Sequence, residues 1–325
     1  MLSADPAAGE AGLKLCQFFR YAHADGQRSL RLWLPPQVQI EAGSPWEGLL
    51  QEGLVQAQPH PAPAMLLLSD AADWQAARRL YGPELPGAVL QLFRGVDLRS
   101  WGHGAIQQPA IRVAIGLAVA EALQGLSLLR ETLHTVPIGW DAEDLPVQRA
   151  AQRDPEVLIL AGSHPALGLA VQAQLQQQGL GCRLELTPWP LQQWCAALAR
   201  AAAVVVIDPE LPAPELGLRR FAAMALQTPL VCTVSPYTDS FCRDAQNALV
   251  RPADAAALAQ AVQELVAPGG IALRARLADG GLATLVRHRR ARERLEFEQL
   301  LDRTPSLWQE ACSCHPGREK AVAAR

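Results

Sequence analysis

The residues Gly217-Leu218-Arg219-Arg220 stand at the start of a helical stretch, and their types suit anion binding. The first turn of a helix leaves backbone N–H groups unpaired and carries the positive end of the helix dipole. A glycine there lets a charged ligand approach the backbone closely. Arginines in a first turn oppose the dipole, a cost that an anion in front would offset; two solvated arginines on a helix surface is the plainer reading. A second turn, Gly162-Ser163-His164, follows another apolar run, where His164 either donates to a phosphate-like group or sits as an exposed loop histidine. Ser235, Tyr237 and Thr238, with Asp239, follow the apolar run Leu230 to Val234 and offer hydroxyls to a polar ligand. The same residue types also form a turn with no ligand. Asp97 and His103, in the segment from Arg94 to Gly104, are placed to steer a reacting hydroxyl, as is Asp70 after Met65 to Leu68. An ordinary polar surface loop accounts for them equally.

Other chemistries find no support. Gly-x-Ser-x-Gly, His-Glu-x-x-His, Walker and Gly-x-Gly-x-x-Gly patterns are all missing, which argues against serine hydrolases, zinc peptidases, P-loop enzymes and ordinary dinucleotide-binding enzymes. The seven cysteines (Cys16, Cys182, Cys195, Cys232, Cys242, Cys312, Cys314) are scattered and mostly in apolar surroundings, as expected of free thiols in a reducing compartment. Cys312-Ser-Cys314-His315 has no second ligand pair and is read as part of a polar tail, so no metal site is expected. A net charge of −3 gives no overall reason to expect a nucleic-acid partner. Lysine occurs only at Lys14 and Lys320, so a phosphate clamp in the body of the chain must use Arg, His or backbone N–H. The first residues lack a basic segment followed by an apolar one, so no secretory signal is expected. The most apolar stretch, Ile111 to Leu129, is broken by Arg112 and Glu121 and does not read as a membrane span.

The elements that position these residues alternate between strand and helix. In the first half, a helix over Leu13 to His23 precedes strands at Ser29 to Leu34, Ala64 to Leu68, Ala88 to Phe93, Ala110 to Ile115 and Thr132 to Ile138, with helices at Asp73 to Leu80 and from Leu117 to about Gln124. No good strand precedes the first helix, so this domain reads as incomplete. Residues 142–155 are polar, carry two prolines and form the expected linker. The second half has strands at Glu156 to Ala161, Arg183 to Leu186, Ala203 to Ile207 and Leu230 to Val234. Its helices are Leu167 to Gln178, Leu191 to Ala201, Arg219 to Leu226 and Asp254 to Leu265, the last capped by Asp254, with surface helices at Leu273 to Gly280 and Leu282 to Leu301. The expected organisation is an α/β chain with an N-terminal domain over 1–141, a linker over 142–155, a C-terminal domain over 156–303 and a flexible tail over 304–325.

One stretch carries a family resemblance. Pro214 to Pro252 reads PELGLRRFAAMALQTPLVCTVSPYTDSFCRDAQNALVRP. It resembles the donor-sugar half of GT-B glycosyltransferases, in particular the family GT4 (glycosyltransferase group 1), where a Glu-Gly-Phe-Gly-Leu turn leads into a helix ending Glu-Ala-Met-Ala, a Gly-x-Pro-Val-Val strand and an Asn-Gly-x-Leu turn. Thr135 to Asp141, Val157 to Gly162, Ala199 to Ile207 and Ala255 to Leu265 resemble the family's other landmarks in order. The resemblance covers roughly residues 132 to 265 and implies two Rossmann-like domains facing a cleft. It implies transfer of a sugar from a nucleotide-sugar donor to an envelope polysaccharide or lipid-linked glycan, with no cofactor or metal. It also implies a cytoplasmic protein with peripheral contact at the inner membrane face. Gly162, His164, Gly217, Leu218, Arg219, Ser235, Tyr237 and Thr238 are then the donor-binding candidates, and Glu215, His103 and Asp97 the catalytic ones. The motif departs from the family where it matters. Pro214 and Ala222 stand where the two glutamates usually are, and Glu215 lies one position late. A catalytically inactive, transferase-like protein that binds nucleotide sugar or supports a partner transferase is therefore the alternative.

Overall fold

The structure is a computed structural model that describes residues 9–313, apart from 25, 27, 35–39, 41–43, 45, 57, 94–100, 102–103, 126–131, 142–144, 146, 149, 151, 187–190, 209–216 and 236–239. It divides into two compact units, Met1–Ile138 with Ala291–Arg325, and Gly139–Arg290.

The first unit begins with helix α1 (Gly9–Ala24), a parallel pair of short strands, β1 (Leu32–Trp33) and β2 (Val55–Gln56), and the short helix α2 (Glu47–Gln51). Its main sheet is parallel, in the order β3 (Met65–Leu68), β4 (Ala88–Phe93), β5 (Ile111–Ile115), β6 (Leu133–Val136). Both central strands are buried along their whole length, which explains their largely apolar character; the two exceptions, Gln91 and Arg112, donate to the carbonyls of Ala105 and Gln108, each at 3.0 Å. Helices α3 (Ala71–Tyr81) and α4 (Leu117–Gln124) follow β3 and β5. Asp70 is the N-cap of α3, its side chain accepting from the Asp73 backbone N–H at 2.9 Å. The Asp73 carboxylate in turn accepts from Ser69 N–H and Oγ–H at 2.7 Å. Asp70 thus serves the start of the helix, a role its position after a strand also fits.

The second unit contains β7 (Val157–Leu160), α5 (Pro165–Gln177), β8 (Cys182–Glu185), α6 (Leu191–Arg200), β9 (Ala203–Val206), α7 (Leu218–Ala225), β10 (Leu230–Thr233), β11 (Leu249–Arg251), α8 (Ala255–Val266) and α9 (Ile271–Arg287). The five strands form one parallel sheet in the order β11-β10-β9-β7-β8. On one face Val157, Ile159, Val205 and Val231 join Leu258, Val262 and Leu265 of α8 and Val171 and Leu175 of α5 in a single apolar core. α7 packs on β9, β10, α6 and α9. Asp254 caps α8 as the sequence indicates, accepting from Ala257 N–H at 2.8 Å. Arg153, in the expected linker, donates to the carbonyls of Ala201 (3.0 Å) and Leu226 (2.9 Å) and to Thr228 Oγ (2.9 Å), so this end of the linker is fastened to the second unit.

The last elements differ from expectation. α9 runs without a break through Gly280-Gly281, where a helix boundary was expected. The glycines are there for contact: a Cβ at Gly280 would lie 2.1 Å from the Gln246 carbonyl oxygen, and one at Gly281 would lie 3.1 Å from Met224. Helices α10 (Arg290–Asp302) and α11 (Thr304–Ser313) follow. From Ala291 onward the chain belongs to the first unit, not to the C-terminal domain. Lys14 of α1 and Glu293 of α10 form a fully buried ion pair at 2.7 Å, Tyr21 donates to the same carboxylate at 2.8 Å, and Phe18 packs on Phe297 with centroids 4.6 Å apart. The expected flexible tail is helical over its first part: α11 packs on β4 and β5, with Leu307 and Ala311, one turn apart, buried.

Candidate functional site

The strand order of the second unit places its switch point at β7 and β9. The chain leaves β7 to one side to form β8 and to the other to form β9, and in open parallel sheets the crevice at the carboxyl ends of such a strand pair is where ligands bind. Two candidate turns sit at those ends. After β7 come Gly162, with φ +46°, and His164, the N-cap of α5. The His164 imidazole makes no capping bond, is half-buried, and is followed by Pro165 in the first turn of the helix. After β9 the chain reaches Gly217, the N-cap of α7, in the left-handed region at φ +75°. A Cβ at Gly217 would lie 3.0 Å from Phe241 Cζ and 3.4 Å from Arg220 Nη1, so both conformation and space demand glycine here. Leu218 is fully buried and anchors the first turn of α7, and Ser235, buried after β10, lies at the same edge of the sheet.

The two arginines do not take either expected place. Arg219 is buried and reaches Glu185, at the end of β8, with Nη1 3.3 Å from Oε2. Arg220 is also buried and pairs with Asp208, just beyond β9. Asp208 N–H donates to Thr233 Oγ at 3.0 Å, joining the pair to β10, and Asp208 Oδ2 has no hydrogen-bond partner among the described residues. Burial works against the Arg220 charge, but the Asp208 carboxylate beside it holds the guanidinium protonated at every accessible pH. Burial, together with a hydrogen bond to Cys232, raises the Cys242 thiol well above its ordinary range. Arg219, expected either to contact a phosphate or to lie in solvent, is held inside the unit as a brace. With Arg220 it ties the first turn of α7 to the ends of two strands.

An aromatic group supports the same turn. Phe221 stacks on Phe241 with centroids 4.3 Å apart, and His288 lies 5.2 Å from Phe221. Asn247 locks the turn after Phe241: its Nδ2 donates to the Phe241 carbonyl (2.9 Å) and to Thr284 Oγ (2.7 Å), and its Oδ1 accepts from Arg243 N–H (2.7 Å). Asn247, which opens the run Asn247-Ala248-Leu249-Val250, is thus a structural knot. Asp208 and Glu185 are not marked by the motif; Asp208 carries the signal of a charged residue directly after the apolar run Ala203 to Ile207, and Glu185, in the mixed strand Cys-Arg-Leu-Glu, carries none. Glu215, Asp97, His103, Tyr237, Thr238 and Asp239 lie outside the described residues. No group of three or more His, Cys, Asp or Glu among the described residues is arranged to hold a metal ion, and no single described helix is long and apolar enough to cross a membrane.

Comparison with known proteins bears on this geometry. Residues 138–267 match the family model for Glycosyl transferases group 1, the stretch that carries the whole switch-point site. No curated protein matches the chain in sequence. Among solved structures, HepE of Anabaena in complex with UDP-glucose is similar at 14% identity, over 93% of this chain and 98% of that one, with a TM-score of 0.66. Sucrose-phosphate synthase from Thermosynechococcus elongatus is similar at 15% identity, over 94% and 98%, with a TM-score of 0.63. A glycosyltransferase from Rickettsia africae is similar at 10% identity, over 94% and 97%, with a TM-score of 0.62. The fold is that of GT-B glycosyltransferases, with two Rossmann-like units, and the resemblance to glycosyltransferase group 1 holds.

Proposed function

We propose that this chain is a glycosyltransferase that moves a hexose from a nucleotide-sugar donor to an envelope polysaccharide or lipid-linked glycan at the cytoplasmic face of the membrane. The observation that carries the reading is the left-handed Gly217 at the N-terminus of α7, beside the switch point and within the segment that matches the family model. When a sugar leaves its nucleotide, charge develops on the terminal phosphate. The first turn of α7, which carries the positive end of the helix dipole, is suited to hold that charge without a metal or other cofactor. His164, whose side chain is not used for capping, is suited to donate to the same diphosphate. A uridine nucleotide is the first choice of donor, because the similar HepE was solved with UDP-glucose.

Glu215 is assigned the donor-sugar contact, and Asp97 or His103 the acceptor hydroxyl. A hydrogen bond to a charged group contributes about 1.5–3 kcal/mol, so Glu215→Ala should slow transfer by roughly one to two decades while leaving nucleotide affinity nearly intact. Unchanged turnover would move the sugar contact to another residue. The second reading, a transferase-like protein that binds nucleotide sugar without turnover, is favoured by Ala222, a buried methyl where the family usually carries a carboxylate. UDP binding without transfer to any glycan acceptor would establish it.

A further inference from the structure

The outward side of α9 has a composition that the sugar-transfer reading leaves unused. Its inward side is well occupied: Leu277, Gly281, Thr284 and Leu285 are buried, against Met224 of α7 and the Asn247 turn. Its outward side carries Ile271, Leu282 and Val286, exposed by 65%, 38% and 63%. Ala275, Leu282 and Val286 are spaced seven and four residues apart and so form one line along the helix. Arg276, Ala283 and Arg287 form the adjacent line, and Arg289 follows in the short break after the helix; all are exposed. Residues 271–290 hold five arginines against the single acid Asp279, a net +4 within a chain whose total is −3. The helix has 17 residues and presents this double line over about 25 Å.

An apolar line flanked by arginines is the pattern of a helix lying in a lipid interface, with branched side chains below the headgroups and guanidinium groups at the phosphates. The charge selects the occupant. A basic strip on an acidic protein is complementary to an anionic bilayer surface, and three exposed arginines are suited to bind it by charge. We infer that the outward face of α9 docks on anionic lipid, with Leu282 and Val286 inserted and Arg276, Arg287 and Arg289 on the headgroup phosphates. This rests on the membrane-face reading proposed above and names the surface that makes the contact.

The test is sedimentation of the full chain with vesicles of phosphatidylcholine containing phosphatidylglycerol, and with phosphatidylcholine alone. Binding is expected to the anionic vesicles only and to weaken with salt. Each Arg→Gln change should lower the partition coefficient about fivefold, so Arg276→Gln/Arg287→Gln/Arg289→Gln should lower it well over tenfold. Leu282→Ser/Val286→Ser should lower it independently. All variants have exposed side chains, and unchanged circular dichroism and melting would confirm their folding. Absence of wild-type binding, equal binding to both vesicle types, or full binding by both variants would overturn the inference. UDP titration of the same preparations keeps the two readings apart: UDP binding without vesicle binding rejects the docking surface alone, and vesicle binding without UDP binding rejects the donor site alone.

Discussion

Replacing Arg220 with methionine leaves a carboxylate with no counter-charge inside the second unit. Asp208 and Arg220 are 3% and 1% exposed, and Asp208 Oδ2 already lacks a partner among the described residues. Removing one member of such a buried pair costs about 3–5 kcal/mol, because the remaining ion keeps its desolvation penalty without its attraction. Against a typical stability of about 5–15 kcal/mol this is a large fraction of the total. The double variant Arg220→Met/Asp208→Leu removes both charges, fills the space with apolar atoms, and should recover most of the loss. Urea unfolding followed by circular dichroism and by tryptophan fluorescence, with Trp140 and Trp194 as buried reporters in the second unit, would measure all three proteins. The pair also braces the first turn of α7 to β9 and β10, so the double variant, though stable, should bind nucleotide more weakly than wild type. A cost below about 1 kcal/mol for Arg220→Met, within the range of an exposed pair, would refute the reasoning.

The same logic applies to α10: Lys14→Met should destabilise the first unit by about 3–5 kcal/mol, and Lys14→Met/Glu293→Leu should recover most of it, as read by urea unfolding. Stability should also fall on mild acidification. Burial, helped by the nearby Arg303 charge, holds the His134 pKa below its ordinary value of 6.5, so in the window from 6.5 down to its folded value the unfolded chain binds more protons than the folded one. Stability therefore drops as pH falls through that window, with a slope of at most about 1.4 kcal/mol per pH unit from this group, and His134→Gln should flatten that part of a melting-temperature profile.

Much of the second unit was legible because its information is local. The unbroken apolar run Ala203 to Ile207 marks a strand buried on both faces, and Asp254, at the head of a run with helical apolar spacing, marks a helix start. Gly217 stood out for the same reason, since its conformation is set by its own turn. The arginines were misread because their partners are remote in sequence: Glu185 is 34 residues from Arg219, and Asp208 is 12 from Arg220 across the segment that joins β9 to α7. The return of α10 and α11 to the first unit was hidden likewise, since Lys14 and Glu293 are 279 residues apart. Gly280-Gly281 suggested a break because glycine disfavours helix interiors by about 1 kcal/mol, a cost that close contact with Gln246 and Met224 overrides.

The central claim is that the first turn of α7 receives a nucleoside diphosphate. Isothermal titration of the folded protein with UDP, GDP and dTDP tests it most directly, with Gly217→Val as the matched variant. That substitution places a branched side chain at φ +75° and against Phe241, so it should displace the turn at the site itself. The account predicts that UDP binds the wild-type chain with a Kd below about 1 mM, equivalent to about −4 kcal/mol, and that Gly217→Val, still folded, does not bind. No binding by any of the three nucleotides, or equal affinity in Gly217→Val, would contradict it.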